Sequence, residues 1–252
     1  GYLPVSAISA GAPLFQRQDD RRRTARAPLE EEGDRVMLQG PAGVRVQDVT
    51  FAYPGSDRAV FKHFSHDFAP GSVTAVTGMT GAGKSTLARL MISVLEPSEG
   101  TVTLYDGRQE MPSNPASRCN FMYVPQGNSL MSGTIRDNLL LADPEATDSM
   151  MNHVLDTAVA SFVHSLPDGI DTVCGEDGGG LSEGQCQRIA IARALLQKGG
   201  VLILDESTSA LDALTEETLL ENLSREYHGK RTILFISHRE AVSKYADGSL
   251  VI

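Results

Sequence analysis

The chain has 252 residues, 41 % of them hydrophobic and 21 % charged, with a formal net charge of −10. That length is ample for a buried core in one large domain or two small ones, and the acidic balance argues against a general nucleic-acid binder, whose surface is normally basic. Cys119, Cys174 and Cys186 fall into no CxxC or Cys/His spacing, as expected of reduced thiols in a cytosolic compartment.

In chain order, residues 1–34 stand apart. GYLPVSAISAGAPLF is apolar but falls short of the ~18 residues of a membrane span, and it lacks the basic leader of a signal peptide. Arg17, Arg21, Arg22, Arg23 and Arg26 follow, then the acidic run EEEGD. Two expectations stand side by side. The segment is a disordered leader, or it is a linker leaving a membrane domain, since arginines beyond an apolar stretch mark a cytoplasmic boundary. A glycine at position 1 and an apolar finish, YADGSLVI, with no closing element after it, are expected of a fragment or a processed chain.

From Val36 the pattern is that of a folded domain. VRVQDVTFAYPG alternates as a half-buried strand and turns at Pro54-Gly55; AVFKHFSHDFAPG reads as its antiparallel partner. SVTAVTG is a short strand running into glycines. KSTLARLMISVLEP places Leu87, Leu90, Met91, Val94 and Leu95 at helical spacing and is stopped by PSEG, after which TVTLYDGR is a strand. Residues from about 127 to 185 read as helical, notably DSMMNHVLDTAVASFVHSL. A helix through QRIAIARALLQ then precedes VLILDE, a continuous apolar run typical of a strand covered on both faces. LTEETLLENLSREYHG is amphipathic, with Leu214, Leu219, Leu220 and Leu223 on one side, and RTILFISH is another buried strand. Helices alternating with buried strands predict a parallel α/β core.

GMTGAGKST, Gly78 to Thr86, follows a strand, opens a helix and fits GxxxxGK[ST]. Backbone N–H groups from Thr80, Gly81, Ala82 and Gly83 through Thr86 can turn inward around phosphate oxygens, which a helix N-terminus also attracts. Lys84 can reach the β- and γ-phosphates, and the Ser85 hydroxyl can ligate Mg²⁺. VLILDE presents the Asp205 carboxylate to the Mg²⁺ shell, with Glu206 beside it to polarise water. His238, at the end of RTILFISH, would reach the same carboxyl edge, where α/β sheets bind ligands. LSEGQCQR is ambiguous by itself. Ser182 and Gln185 make a capping box and Glu183 suits the helix dipole, yet a carboxylate facing phosphate would repel it.

Taken together these segments resemble the ATP-binding domain of an ABC transporter over residues 36–252, each motif in the family's order. The resemblance implies a P-loop NTPase of the ABC-ATPase fold: a parallel α/β core, an antiparallel β subdomain, and a helical subdomain at about 127–185. It implies that Tyr53 in FAYPG stacks on adenine, with Val60 as its apolar neighbour, and that Ser85, Gln126 in YVPQ and Asp205 serve Mg²⁺. It gives Glu206, His238 and Gln126 catalytic roles. Ser182, Gly184 and Gln185 of LSEGQ, and Asp212 of STSALD, then meet ATP bound on a second such domain. Ser182 and Gly184 contact the γ-phosphate there, and the Glu183 carboxylate is expected to face away.

NSLMSGTIRDNL and SLPDGIDTVCGEDGGGLSEGQ resemble the exporter type, in which a linker such as residues 1–34 leaves the last transmembrane helix. The implied function is a motor that hydrolyses ATP and dimerises around two ATP·Mg²⁺ to drive transport. It would sit on the cytoplasmic side of the cell (inner) membrane in the full-length transporter, and be soluble as this fragment. Family members usually add a closing hairpin and helix beyond a residue such as Ile252. A nucleotide-gated dimerising module with negligible hydrolysis usually loses the glutamate or the histidine, both kept here. DNA-repair and chromosome ATPases interpose a long coiled coil, and translation ATPases pair two such domains with a basic surface. The transported substrate, and the choice of homodimer or heterodimer, are not legible in these residues.

Overall fold

Described in this computed structural model are residues 35–175 and 180–252, so the expected linker at 1–34 lies outside them. The first strand, β1 (Gly43–Phe51), turns Val44, Val46, Val49 and Phe51 inward and pairs antiparallel with β2 (Phe61–Phe68), as its alternation predicts. β3 (Val73–Thr77), buried throughout, runs into the glycine loop and α1 (Lys84–Met91). β4 (Glu99–Tyr105) and β5 (Glu110–Pro112) complete an antiparallel sheet in the order β2-β1-β4-β5.

Next come β6 (Phe121–Val124), the two-residue β7 (Gly133–Thr134), α2 (Ile135–Leu140), α3 (Asp148–Thr157) and β8 (Val173–Cys174), which pairs with β7. The remaining elements are α4 (Glu183–Leu195), β9 (Val201–Asp205), α5 (Ala213–Tyr227), β10 (Thr232–Ile236) and β11 (Gly248–Val251). The central sheet runs β11-β3-β10-β9-β6, every neighbouring pair parallel.

Period-two alternation divides the core between the two faces of this sheet. Val76, Val201, Ile203, Leu234 and Ile236 join Leu87, Leu90 and Met91 of α1 and the antiparallel sheet. Ala75, Leu202, Leu204, Ile233 and Phe235 join Leu155, Ile189 and Leu219 from α3, α4 and α5. Both faces are therefore covered, which is why VLILD and TILFI read as unbroken apolar runs.

The structure departs from the sequence expectations in several places, one being the strands β7 and β8, which pair within the stretch expected to be helical. α1 stops at Met91, not near Leu95: Ser93 takes a left-handed conformation (φ 58°), and the N–H groups of Val94 and Leu95 both fold back to the Arg89 carbonyl. The long helix expected over 148–166 breaks after α3: Val159 turns left-handed (φ 56°), the Ala160 N–H folds back to the Leu155 carbonyl, and Arg188 of α4 donates to the Val159 carbonyl at 2.7 Å. A short 3₁₀ turn, Ser161–Ser165, follows. Leu214 does not share the buried side of α5; it is 73 % exposed, while Leu219, Leu220 and Leu223 are buried. The apolar finish is itself a strand, β11, which lies along β3.

These burials set unequal costs. Leu223→Ala should lose about 2–5 kcal/mol through the cavity it leaves, and Leu214→Ala should change stability by less than about 0.5 kcal/mol. Urea unfolding midpoints read the contrast, and comparable losses from both would contradict the orientation of α5.

Candidate active site

Register brings the reactive loops together. Ile236 lies opposite both Val76 and Asp205, and Leu204 lies opposite Val124. The loops leaving β3, β10, β9 and β6 therefore emerge from one carboxyl edge, where such sheets hold ligands. The phosphate-loop candidate leaves β3, Glu206 follows β9, and His238 and Gln126 stand two residues past β10 and β6.

Gly83 ends the glycine loop in a left-handed conformation (φ 112°), and a Cβ there would lie 2.7 Å from Val60 Cγ1. Only glycine suits both demands. α1 then starts with no side-chain cap and no acidic residue in its first turn. α2, α3, α4 and α5 are instead capped by Thr134, Thr147, Ser182 and Asp212. The first-turn N–H groups of α1 and the positive end of its dipole thus suit an external anion.

Lys84 is 4 % exposed, and its ammonium donates to the carbonyls of Gly78 (2.8 Å) and Met79 (2.9 Å). Thr80 and Gly81 are exposed beside it and Ala82 is half-buried. Tyr53 shares a 2.8 Å hydrogen bond with Thr86 Oγ1 and stands edge-on to Phe51, which puts its ring beside the first turn of α1.

Opposite the loop, Ser85 Oγ donates to Asp205 Oδ1 (3.0 Å) and the Tyr123 hydroxyl donates to Oδ2 (2.7 Å). Burial pushes the Asp205 carboxyl above its ordinary range, although both bonds pull it down, and burial also raises the Tyr123 phenol. The described residues hold no cluster of three or more His, Cys, Asp or Glu able to cage a metal. Two hard oxygens side by side fit Mg²⁺ instead, which keeps several waters and takes few protein ligands alongside substrate phosphates.

Glu206 is the non-glycine outlier here, at φ 49°. Such a conformation costs on the order of 1–3 kcal/mol and persists only where its surroundings fix it. Its N–H donates to the Ile236 carbonyl of β10 (2.9 Å), which supplies that constraint. The Glu206 carboxylate lies 3.7 Å from Lys84 Nζ and 3.8 Å from Nδ1 of the half-exposed His238. Gln126 is exposed on the same edge.

Ser182, Gly184, Gln185 and Asp212 form a second group. The capping box is present: Gln185 N–H donates to Ser182 Oγ (3.1 Å), and Ser182 N–H donates to Gln185 Oε1 (2.9 Å). Glu183 is exposed at the first helical position. Its charge, after burial, helps hold the neighbouring Cys186 thiol above its ordinary range, and burial does the same to Cys174. Gly184 packs so closely on loop 207–212 that a Cβ would meet the Ala210 carbonyl at 2.9 Å.

That loop is fixed from three elements. Gln187, fully buried on α4, donates to Ser209 Oγ (3.2 Å) and accepts from Ala210 N–H (3.1 Å). Glu216 of α5 accepts from Thr208 Oγ1 (2.7 Å) and from Arg239 (2.7 Å), whose guanidinium also donates to the Ser209 carbonyl (3.0 Å). Arg239 directly follows His238. Gln187, Glu216, Arg239 and Tyr123 were not singled out from the sequence. A glutamine and a glutamate among the apolar positions of α4 and α5 were the signal available for two of them.

Comparison with known proteins bears on the family and the fold. The family described as ABC transporter matches residues 61–209. The ATP-dependent lipid A-core flippase of Vibrio parahaemolyticus is 36 % identical over 99 % of the chain and 44 % of its own length. The mycobactin import ATP-binding/permease protein IrtB of Mycobacterium bovis is 35 % identical over 100 % of the chain and 45 % of its own length. The ABC multidrug transporter mdr2 of Aspergillus fumigatus is 36 % identical over 98 % of the chain and 31 % of its own length. The chain thus spans less than half the length of these relatives. The structure of a bacterial Atm1-family ABC exporter with ATP bound superposes with a TM-score of 0.78 at 33 % identity, covering 90 % of this chain and 39 % of that one. With its parallel core, antiparallel sheet and motifs in order, the chain belongs to the ABC transporter family and has the ATP-binding domain of its exporters.

Proposed function

We propose that the chain is an ATP-hydrolysing motor that works in a pair, its α1 binding ATP·Mg²⁺ and the signature helix α4 of a second ATP-binding domain closing over the γ-phosphate. The observation that carries this is the convergence of Lys84, Ser85, Asp205, Glu206 and His238 on one sheet edge, beside the uncapped start of α1. The structural neighbour with ATP bound supports the choice of nucleotide.

Phosphates entering at α1 take the place of the Gly78 and Met79 carbonyls around the Lys84 ammonium. Tyr53 leaves Thr86 to offer its ring to adenine above Val60. Mg²⁺, when bound between Ser85, Asp205 and Gln126, would neutralise phosphate charge. Glu206 orients the attacking water, and His238 holds the γ-phosphate and links it to that base. The Ser182 oxygen accepts from Gln185 but keeps its own proton, free to donate to the partner's ATP together with backbone N–H groups near Gly184. Asp212, at the start of α5, belongs to the segment that crosses between domains.

Hydrolysis then adds negative charge and drives the pair apart, moving a transmembrane domain between inward- and outward-facing states. Residues 1–34 are the linker to that domain in this proposal, and residues 35–252 the motor with its helical part at about 127–185. No described helix is long and apolar enough to cross a membrane, and the assembly would place the motor on the cytoplasmic side. Relatives named for a flippase, a multidrug transporter and a mycobactin importer share 35–36 % identity with it. Substrate chemistry and direction therefore belong to the membrane part, not to these residues.

Three experiments bear on the proposal. Glu206→Gln should keep ATP binding, lower turnover on the order of 10²-fold or more, and accumulate an ATP-bound dimer in size-exclusion chromatography; normal turnover would remove Glu206 from the catalytic role. Specific ATPase activity of the unmodified chain should rise with protein concentration, and a constant value from a monomer would contradict a shared site. Glu183→Gly should alter activity only a few-fold, because an outward carboxylate contributes about 0.3–1 kcal/mol through the helix dipole. Ser182→Ala and Gly184→Asp should be far more damaging, the latter also striking Ala210. A hundredfold gain in Glu183→Gly would instead mark a repressed site.

A further inference from the structure

We infer that Tyr123 is a positioning residue for Asp205: its hydroxyl holds the carboxylate turned toward Ser85 and so pre-forms the metal end of the site before nucleotide arrives. The inference rests on the proposed ATP·Mg²⁺ site and gives a role there to Tyr123, the first residue of YVPQ, to which the resemblance assigns none.

Strand geometry explains why these groups meet. Tyr123 lies opposite Ile203 in the β6–β9 ladder, and alternate residues of a strand share a face. Ile203 and Asp205 both point toward α1, and Tyr123 packs with that same cluster. Its neighbours Met122 and Val124 belong to the core on the opposite face. On α1, Ser85 and Arg89 are four residues apart and therefore stack along one side of the helix. The helix α1 and the strands β6 and β9 thus present Ser85, Arg89, Tyr123 and Asp205 to one another.

The direction of the hydrogen bonds follows from donor chemistry. An ionised carboxylate carries acceptors only. The phenol is therefore the donor, and its single proton is committed to Asp205 Oδ2 at 2.7 Å. Ser85 occupies Oδ1. With both oxygens engaged at 2 % exposure, the carboxylate has one orientation. A phenylalanine at 123 would fill the same space but leave one oxygen of a buried carboxylate without its donor.

Mn²⁺, visible by electron paramagnetic resonance, replaces Mg²⁺ in the test, with a non-hydrolysable ATP analogue and the whole chain. In Tyr123→Phe the affinity for Mn²⁺ in the nucleotide complex should fall about tenfold, as for other partners that orient a metal ligand, while nucleotide binding in EDTA changes less than about twofold. Unchanged Mn²⁺ affinity in Tyr123→Phe overturns the inference, as does an equal loss of metal-free nucleotide binding, which would mean a packing role only. An unmodified chain that binds no Mn²⁺ with nucleotide would overturn the proposed function instead, so the two failures are distinguishable.

Discussion

The parallel hydrogen-bond register of β3, β10 and β9 is the constraint on which everything else rests. A slip of one residue in β9 would turn Asp205 away from α1 and bury it among Leu219 and Ile189, because strand faces alternate. Apolar side chains on both faces hold the register: Ile203 and Leu234 cannot trade places with Leu204 and Phe235 without exposing the core to clashes on each side. The reactive edge is thus a by-product of core packing. The placement of Glu206 depends on methyl groups well below it.

Local stability rules are obeyed across most of the chain and relaxed at this edge. Four helices are capped by side chains, whereas α1 relies on the burial of Leu87, Ala88, Leu90 and Met91 to stay folded without one. Glu206 sits in a left-handed conformation, and among the described residues the buried Ser207 hydroxyl next to it lacks a hydrogen-bond partner. Both cost free energy that nearby packing must offset. Clustering of such exceptions beside one loop is what a functional site produces in a sequence that is otherwise locally consistent.

Much of this was legible in the chain itself. GMTGAGKST, VLILDE and RTILFISH announce strand, loop and edge because glycine spacing and two-sided burial leave strong marks. The capping box at Ser182 was readable in the same way, and the structure shows it formed. Other features left weaker marks. β5, β6 and β11 span three or four residues each, too few for a period to show. The break at Val159 is met by a hydrogen bond from Arg188, 29 positions away, and Leu214 follows the apolar rhythm of α5 yet overhangs its edge. Tyr123 reads as one more aromatic in a strand, and only the fold brings it within bonding distance of a residue 82 positions on.

The pinning of loop 207–212 has a mechanical consequence. Gln187, Glu216 and Arg239 join it to α4, α5 and the segment carrying His238, so it has few torsions of its own to spend. It behaves as a latch plate welded to three beams. Any displacement that reaches it must carry those elements along as one body or break several buried hydrogen bonds at once. Motion of that kind is switch-like, since packed elements have discrete arrangements and do not deform gradually. A displacement at the start of α4 and one at the segment carrying His238 would then be tied together through this loop.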